Sequence, residues 1–145
     1  MVIKGHAAKA REAKELRSRA NLAEIDRVRR FLRQALRGLG VSEEDAMKLE
    51  LSLHEIFVNI ALYAYPQGDG EMSLRVWNED HTFFMEFRDK GVAFDPADRP
   101  APNLDEKIRK GTRGGLGVFL FKTLMDGYAY RRDGDTNILT VYKNL

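Results

Sequence analysis

The chain has 145 residues, 43% of them hydrophobic and 32% charged, with a formal net charge of +2 and no cysteine. This describes one domain with room for a core and excludes a disulfide scaffold or a thiolate metal site. No apolar run approaches the ~20 residues that span a bilayer, and the first twenty residues carry no secretory pattern, so a reducing, cytoplasmic setting and no membrane contact are expected.

The charge is uneven along the chain. Residues 1–40 hold eleven Lys/Arg against four Asp/Glu, a balance of +7; the remainder balances at −5. A basic front end can meet nucleic acid or an acidic partner. The arginines have no interleaved aromatics, which favours a solvated helix face plus a flexible tail over direct nucleic-acid binding. Residues 1–13 are small and charged with no apolar period, and are expected to form that tail, with a single domain over 14–145.

Glu15 to Ala20 alternates weakly and predicts a short edge strand. Asn21 is a good N-cap, and Leu22, Ile25, Val28, Leu32, Ala35, Leu36 and Leu39 then recur at helical spacing until Gly38 and Gly40. Ser42 caps the central helix, whose first turn carries Glu43, Glu44 and Asp45, the charge sign its dipole favours. This helix is predicted to run to Tyr65, before Pro66-Gln67-Gly68-Asp69-Gly70. It is apolar nearly all round except for one stripe, Lys48, Ser52, Glu55 and Asn59, at spacings of four, three and four.

Met72, Leu74 and Val76 alternate with Ser73, Arg75 and Trp77. After a turn at Asn78-Glu79-Asp80, a second strand runs from Thr82 to Arg88 as a hairpin partner. Phe83, Met85 and Phe87 share one face, and parity places Asp89 on that same core side. Residues 91–114 contain Pro96, Pro100 and Pro102, and a loop of such length in a small domain is functional or disordered. Gly114-Gly115-Leu116-Gly117 opens a third helix, Val118 to Met125. Strands over 127–132 and 136–143 close the chain through a turn at Asp133-Gly134. Hairpins alternating with helices predict a two-layer α/β sandwich, its sheet mixed but mainly antiparallel, with three helices on one face.

Three features carry chemistry. A core-side carboxylate at a strand end, Asp89, must be hydrogen-bonded, either by protein backbone or by a ligand amine such as that of adenine; Gly91 permits close approach beside it. The glycines 114, 115 and 117 precede a helix whose free N–H groups attract phosphate, with Arg113 adjacent. A plain loop would look the same. A P-loop ending at Lys122-Thr123 would need glycines where Leu116 and Phe121 stand, and a dinucleotide fingerprint from Gly115 would need one at Leu120. Finally, Asn59 can offer an amide oxygen to Mg²⁺, and Glu55, one turn away, can position or deprotonate a hydroxyl. A solvated polar seam is the alternative, and the apolar remainder of the helix weighs against it.

Taken together, Glu55-x-x-x-Asn59, Asp89-Lys-Gly91-Val-Ala-Phe94-Asp95-Pro96 and Gly114-Gly115-Leu-Gly117 resemble the three nucleotide-binding boxes of the GHKL (Bergerat-fold) ATPases. The run from Leu49 to Tyr65 and the ending Asn137-Ile-Leu-Thr140-Val-Tyr-Lys143 resemble, more narrowly, the anti-sigma-factor serine/threonine kinases. The resemblance covers about residues 15–145. It implies a Bergerat fold with an ATP lid over 98–113, and ATP with Mg²⁺ as bound groups. It implies Glu55 as general base, Asn59 as the metal ligand, and Asp89 reading adenine beside Gly91 and Ala93. Arg113, Gly114, Gly115 and Gly117 would contact phosphate, and Thr140 would support the adenine end. The implied partners are a STAS-type anti-anti-sigma factor, a sigma factor and a second copy of the chain. A nucleotide-binding module that switches a partner without transferring phosphate is the alternative. Tyr63 stands where many relatives carry histidine, and the stretch before residue 20 is more basic than usual.

Overall fold

The computed structural model describes residues 12–94 and 121–145. Five strands form one sheet: β1 (Lys14–Arg19), β2 (Glu71–Glu79), β3 (Thr82–Asp89), β4 (Gly127–Asp133) and β5 (Thr136–Asn144), in the order β1-β2-β3-β5-β4. Every pairing among them is antiparallel. The two hairpins, β2–β3 and β4–β5, are local. The β3–β5 junction joins them and is the contact on which the site depends.

Helices α1 (Ile25–Leu36) and α2 (Glu43–Asn59) cover one face of the sheet, and residues 121–124 are helical and join the same core through Phe121. The register aligns Leu16, Leu74, Phe87 and Leu139 across four strands, and Val76, Met85 and Val141 across three. Buried Leu49, Leu53, Ile56 and Phe57 of α2 pack against them. Each such side chain contributes roughly 1.5–3 kcal/mol through its burial. On the opposite face Trp77, Phe84 and Tyr142 form a separate aromatic cluster, with Trp77 and Phe84 stacked at 5.1 Å and Ala13 packed against them.

Local chemistry sets the boundaries. Asn21 caps through its side chain, accepting from Ala23 N at 2.9 Å, but it opens a single 3₁₀ turn at Leu22–Glu24, so the α-helix begins only at Ile25. Ser42 caps α2 by accepting from Asp45 N at 3.1 Å. The helix does continue toward Tyr65, as its periodicity predicts, but the last five residues, Ile60–Ala64, are wound as a π-helix. At its end Ala64 O, like the last carbonyls of any helix, has no donor within the helix and accepts from Val92 N at 2.7 Å, tying the end of the helix to the loop after β3. π-turns recur at functional sites.

Two turns fall one or two residues from their predicted places. The β2–β3 turn is Asp80-His81, both with positive φ (51° and 64°), so β2 extends through Asn78 and Glu79. Positive φ at both central residues is the I′ geometry that matches strand twist. In the last hairpin Asp133 pairs with Thr136, leaving Gly134-Asp135 as the turn.

Several basic residues of the front half are engaged with acidic ones: Arg19 with Asp69 at 2.6 Å, Arg27 with Glu24 at 3.7 Å, and Arg33 with Glu50 at 2.5 Å. These exposed pairs each contribute only about 0–1 kcal/mol. They do lower the net positive field that nucleic acid would meet. Among the described residues no helix is long and apolar enough to cross a membrane.

Candidate functional site

A small cavity of about 30 Å³ opens where the C-terminal end of α2 lies over the ends of β3 and β5. Its walls are mostly apolar: Ile56, Ile60, Phe87, Phe94, Phe121 and Leu139. Four polar residues, Asn59, Asp89, Tyr130 and Asn137, face into it.

Asp89 is buried, with 7% of its surface exposed, at the end of β3. Its Oδ1 accepts from Gly91 N at 2.9 Å and from Asn137 Nδ2 at 2.9 Å. Protein groups therefore satisfy one oxygen, and the second has no hydrogen-bond partner among the described residues. Burial pushes the Asp89 carboxyl above the usual carboxylate range, although the Asn137 amide, the Gly91 N–H and the charge of Arg132 pull the other way.

Gly91 fits the role its lack of a side chain suggests. A Cβ there would stand 2.1 Å from Ala64 O, so the loop can approach the helix end only as glycine. Tyr65 locks the same corner: its hydroxyl accepts from Lys90 N at 2.8 Å and donates to Glu71 O.

The polar stripe of α2 divides. Asn59 is buried and lines the cavity. Glu55, one turn earlier, is half-buried and is not part of the cavity lining. Ser52 is fully buried with no hydrogen-bond partner for its Oγ among the described residues, and Lys48 pairs with Glu44 at 3.1 Å. Both lie away from the cavity. The Asn59 amide oxygen suits a hard cation, and the apolar walls with a carboxylate between them suit a purine, so the residues present fit both a magnesium ion and ATP.

Two expected residues are not brought to the cavity. Ala93 is exposed in the loop, and its neighbour Phe94 supplies the wall instead. Thr140 alternates with Leu139 and Val141, which face the helices, so strand parity turns it to the opposite face, opposite Glu86. Asn137, on the same strand, is the β5 residue that reaches Asp89. Sequence reasoning misses it, although the argument that singles out Asp89 applies to it: Asn137, Leu139 and Val141 share a face, and a polar residue at a core position needs a partner. Arg113, Gly114, Gly115, Gly117 and the expected lid over 98–113 lie outside the described residues.

The model of the histidine kinase-like ATPase domain matches residues 18–143, nearly the whole sheet and both long helices. The chain belongs to this family. Membership implies nucleotide binding, and the cavity between α2, β3 and β5 is the candidate place for it. Among curated relatives the chain is similar to the serine-protein kinase RsbW of Bacillus thuringiensis (strain Al Hakam), 28% identical over 116 residues. It is also similar to the serine-protein kinase RsbW of Bacillus cereus (strain G9842), 25% identical over 109 residues. Each match covers 72% of this chain and 68% of the relative.

Proposed function

We propose that this histidine kinase-like ATPase domain is an ATP- and magnesium-dependent protein serine/threonine kinase of the anti-sigma-factor type. It acts in the cytoplasm on a STAS-type anti-anti-sigma partner and in its other state holds a sigma factor. The observation that carries the reading is the buried carboxylate of Asp89, held by one oxygen and open at the other, one wall away from Asn59. The relatives named as serine-protein kinases support the choice of acceptor.

In this reading the purine lies between the apolar walls, its exocyclic amine donating to Asp89 Oδ2. Asn59 offers its amide oxygen to magnesium, which when bound offsets charge on the phosphates. Glu55 accepts the proton of the acceptor serine as its oxygen bonds to the γ-phosphorus. The bond from that phosphorus to the bridging oxygen breaks, and ADP leaves with the electron pair. The same reading assigns the phosphates to Arg113, Gly114, Gly115 and Gly117, the roles that the family resemblance implies for them.

One observation favours a second reading. Glu55 stands outside the cavity lining, so the site can hold nucleotide without a base in contact with it. The chain would then be a nucleotide-bound regulatory module that switches a partner phosphatase or signalling enzyme. Incubation with γ-labelled ATP, magnesium and a candidate STAS protein separates the two. Label on a serine of the partner supports the kinase; tight ATP binding with an unlabelled partner that nonetheless associates with the chain supports the module.

A further inference from the structure

Behind Asn137 stand two hydrogen-bond donors. The Tyr130 hydroxyl donates to Asn137 Oδ1 at 2.6 Å, and Arg132 Nη1 donates to the same oxygen at 3.0 Å. A guanidinium cannot accept a hydrogen bond, so the amide oxygen must face Arg132 and the amide nitrogen must face away. There Nδ2 meets two acceptors, Asp89 Oδ1 at 2.9 Å and Val92 O at 2.8 Å. Both hydrogens and both lone pairs of the amide are used, which leaves one orientation.

Arg132 grips the opposite side of the carboxylate as well. The same Nη1 donates to Gly91 O at 3.0 Å, and Gly91 N donates to Asp89 Oδ1 at 2.9 Å. Both groups that hold Oδ1 are therefore themselves held by Arg132. Tyr130 adds a third tie, since its hydroxyl accepts from Phe94 N at 3.3 Å. Arg132 itself lies at the exposed end of the edge strand β4, and reaches the site from outside.

We propose that Arg132 is a positioning residue for base recognition: acting through Asn137 and Gly91, it fixes the Asp89 carboxylate so that Oδ2 alone faces the cavity and selects a purine carrying a 6-amino group. The proposal rests on the reading of Asp89 as the partner of adenine. Its structural alternative is an arginine that only fastens the β4–β5 hairpin to the loop after β3. Such an arginine would affect every nucleotide alike.

Dissociation constants of ATP and of purine riboside triphosphate, the same nucleotide without the amine, distinguish the cases. They are measured on the full chain and on its Arg132→Met and Arg132→Lys variants. The unchanged chain prefers ATP. Arg132→Met weakens ATP about tenfold, the worth of one hydrogen bond, and leaves purine riboside triphosphate where it was. Arg132→Lys, which keeps a charged donor, restores most of the preference. Equal weakening of both nucleotides in Arg132→Met, or an undiminished preference for ATP, overturns the role of Arg132. An unchanged chain that shows no preference overturns instead the reading of Asp89 on which it rests.

Discussion

Asn137 of β5 stands directly opposite Asp89 of β3 and donates to it across the strand pair at 2.9 Å. Two polar side chains thus meet on the core face of a sheet, where their neighbours along both strands are Phe87 and Leu139. A buried carboxylate is tolerated only with such partners. Here the partners occupy one oxygen, and the other remains to be used by a ligand.

The substitution Asp89→Asn tests this arrangement. The oxygen of the new amide can still accept from Gly91 N and Asn137 Nδ2. Its NH₂ then turns toward the cavity and presents a donor where the chain now presents an acceptor. ATP affinity is expected to fall about 100-fold, since two donors then face each other in a buried site. Affinity for inosine triphosphate, with an oxygen at the same ring position, is expected to rise relative to ATP. Removing a disfavoured buried charge leaves the melting temperature unchanged or higher. Calorimetric titration and thermal denaturation read both effects.

Binding also acquires a pH dependence from Asp89. An amine ligand needs the ionised carboxylate, and burial raises the pKa of this group. ATP affinity should therefore weaken on acidification at a higher pH than the ordinary aspartate value of about 3.9. The sign for stability is opposite. Because the unfolded chain ionises first as pH rises, the contribution of Asp89 to stability is greatest below its unfolded pKa. It is lost as pH rises through the folded one. The charged or titratable neighbours are Arg132, whose charge favours ionisation, and Tyr65, whose own pKa is raised mainly by burial. ATP's own phosphate and ring titrate within pH 4–8, so dissociation constants across that range should show, beyond the ligand's own titration seen with Asp89→Asn, an additional acid limb in the unchanged chain.

Asn59 separates metal from base. Asn59→Ala should weaken ATP about tenfold in the presence of magnesium and have little effect on ATP measured in a chelator, because the lost amide oxygen serves the metal rather than the purine. An equal loss in both conditions would remove Asn59 from the metal.

Gly91→Ala probes the contact between loop and helix end. The added Cβ would meet the Ala64 backbone at 2.1 Å, so the backbone must shift and the hydrogen bond from Val92 N to Ala64 O weakens. A loss of about 1–3 kcal/mol of stability is expected from such crowding, together with weaker nucleotide binding. Urea denaturation measures the first and nucleotide titration the second.

Much of the fold is legible in the sequence because its signals are local. Caps at Asn21 and Ser42, the period of α1, the alternation of Met72-Leu74-Val76 and the parity of Phe83-Met85-Phe87-Asp89 each depend on a few neighbouring residues. The first hairpin turn shifts because Asn78 and Glu79 have turn-like composition, yet Asp80 and His81 adopt the positive φ that closes the loop. The π-turn at Ile60–Ala64 is not legible, since the group its last carbonyl accepts from, Val92 N, lies about thirty residues away. Part of the site has the same difficulty. Asp89, Asn59 and Gly91 stand out through patterns on their own elements. Asn137 carries the same parity signal as Asp89, through Leu139 and Val141, whereas Tyr130 and Arg132 become meaningful only once β3 and β5 are neighbours, and no local signal sets that non-consecutive pairing. Thr140 differs from the cavity-facing positions by one step of strand parity, which in a sheet is the difference between its two faces.

The most direct test of the account is phosphoryl transfer by the full chain and its Glu55→Ala variant, using γ-labelled ATP, magnesium and a candidate STAS partner. The account predicts label on a partner serine with the unchanged chain. In the variant it predicts at least a 100-fold slower transfer with ATP affinity unaltered, the usual worth of a general base. Transfer at an undiminished rate by Glu55→Ala would contradict it.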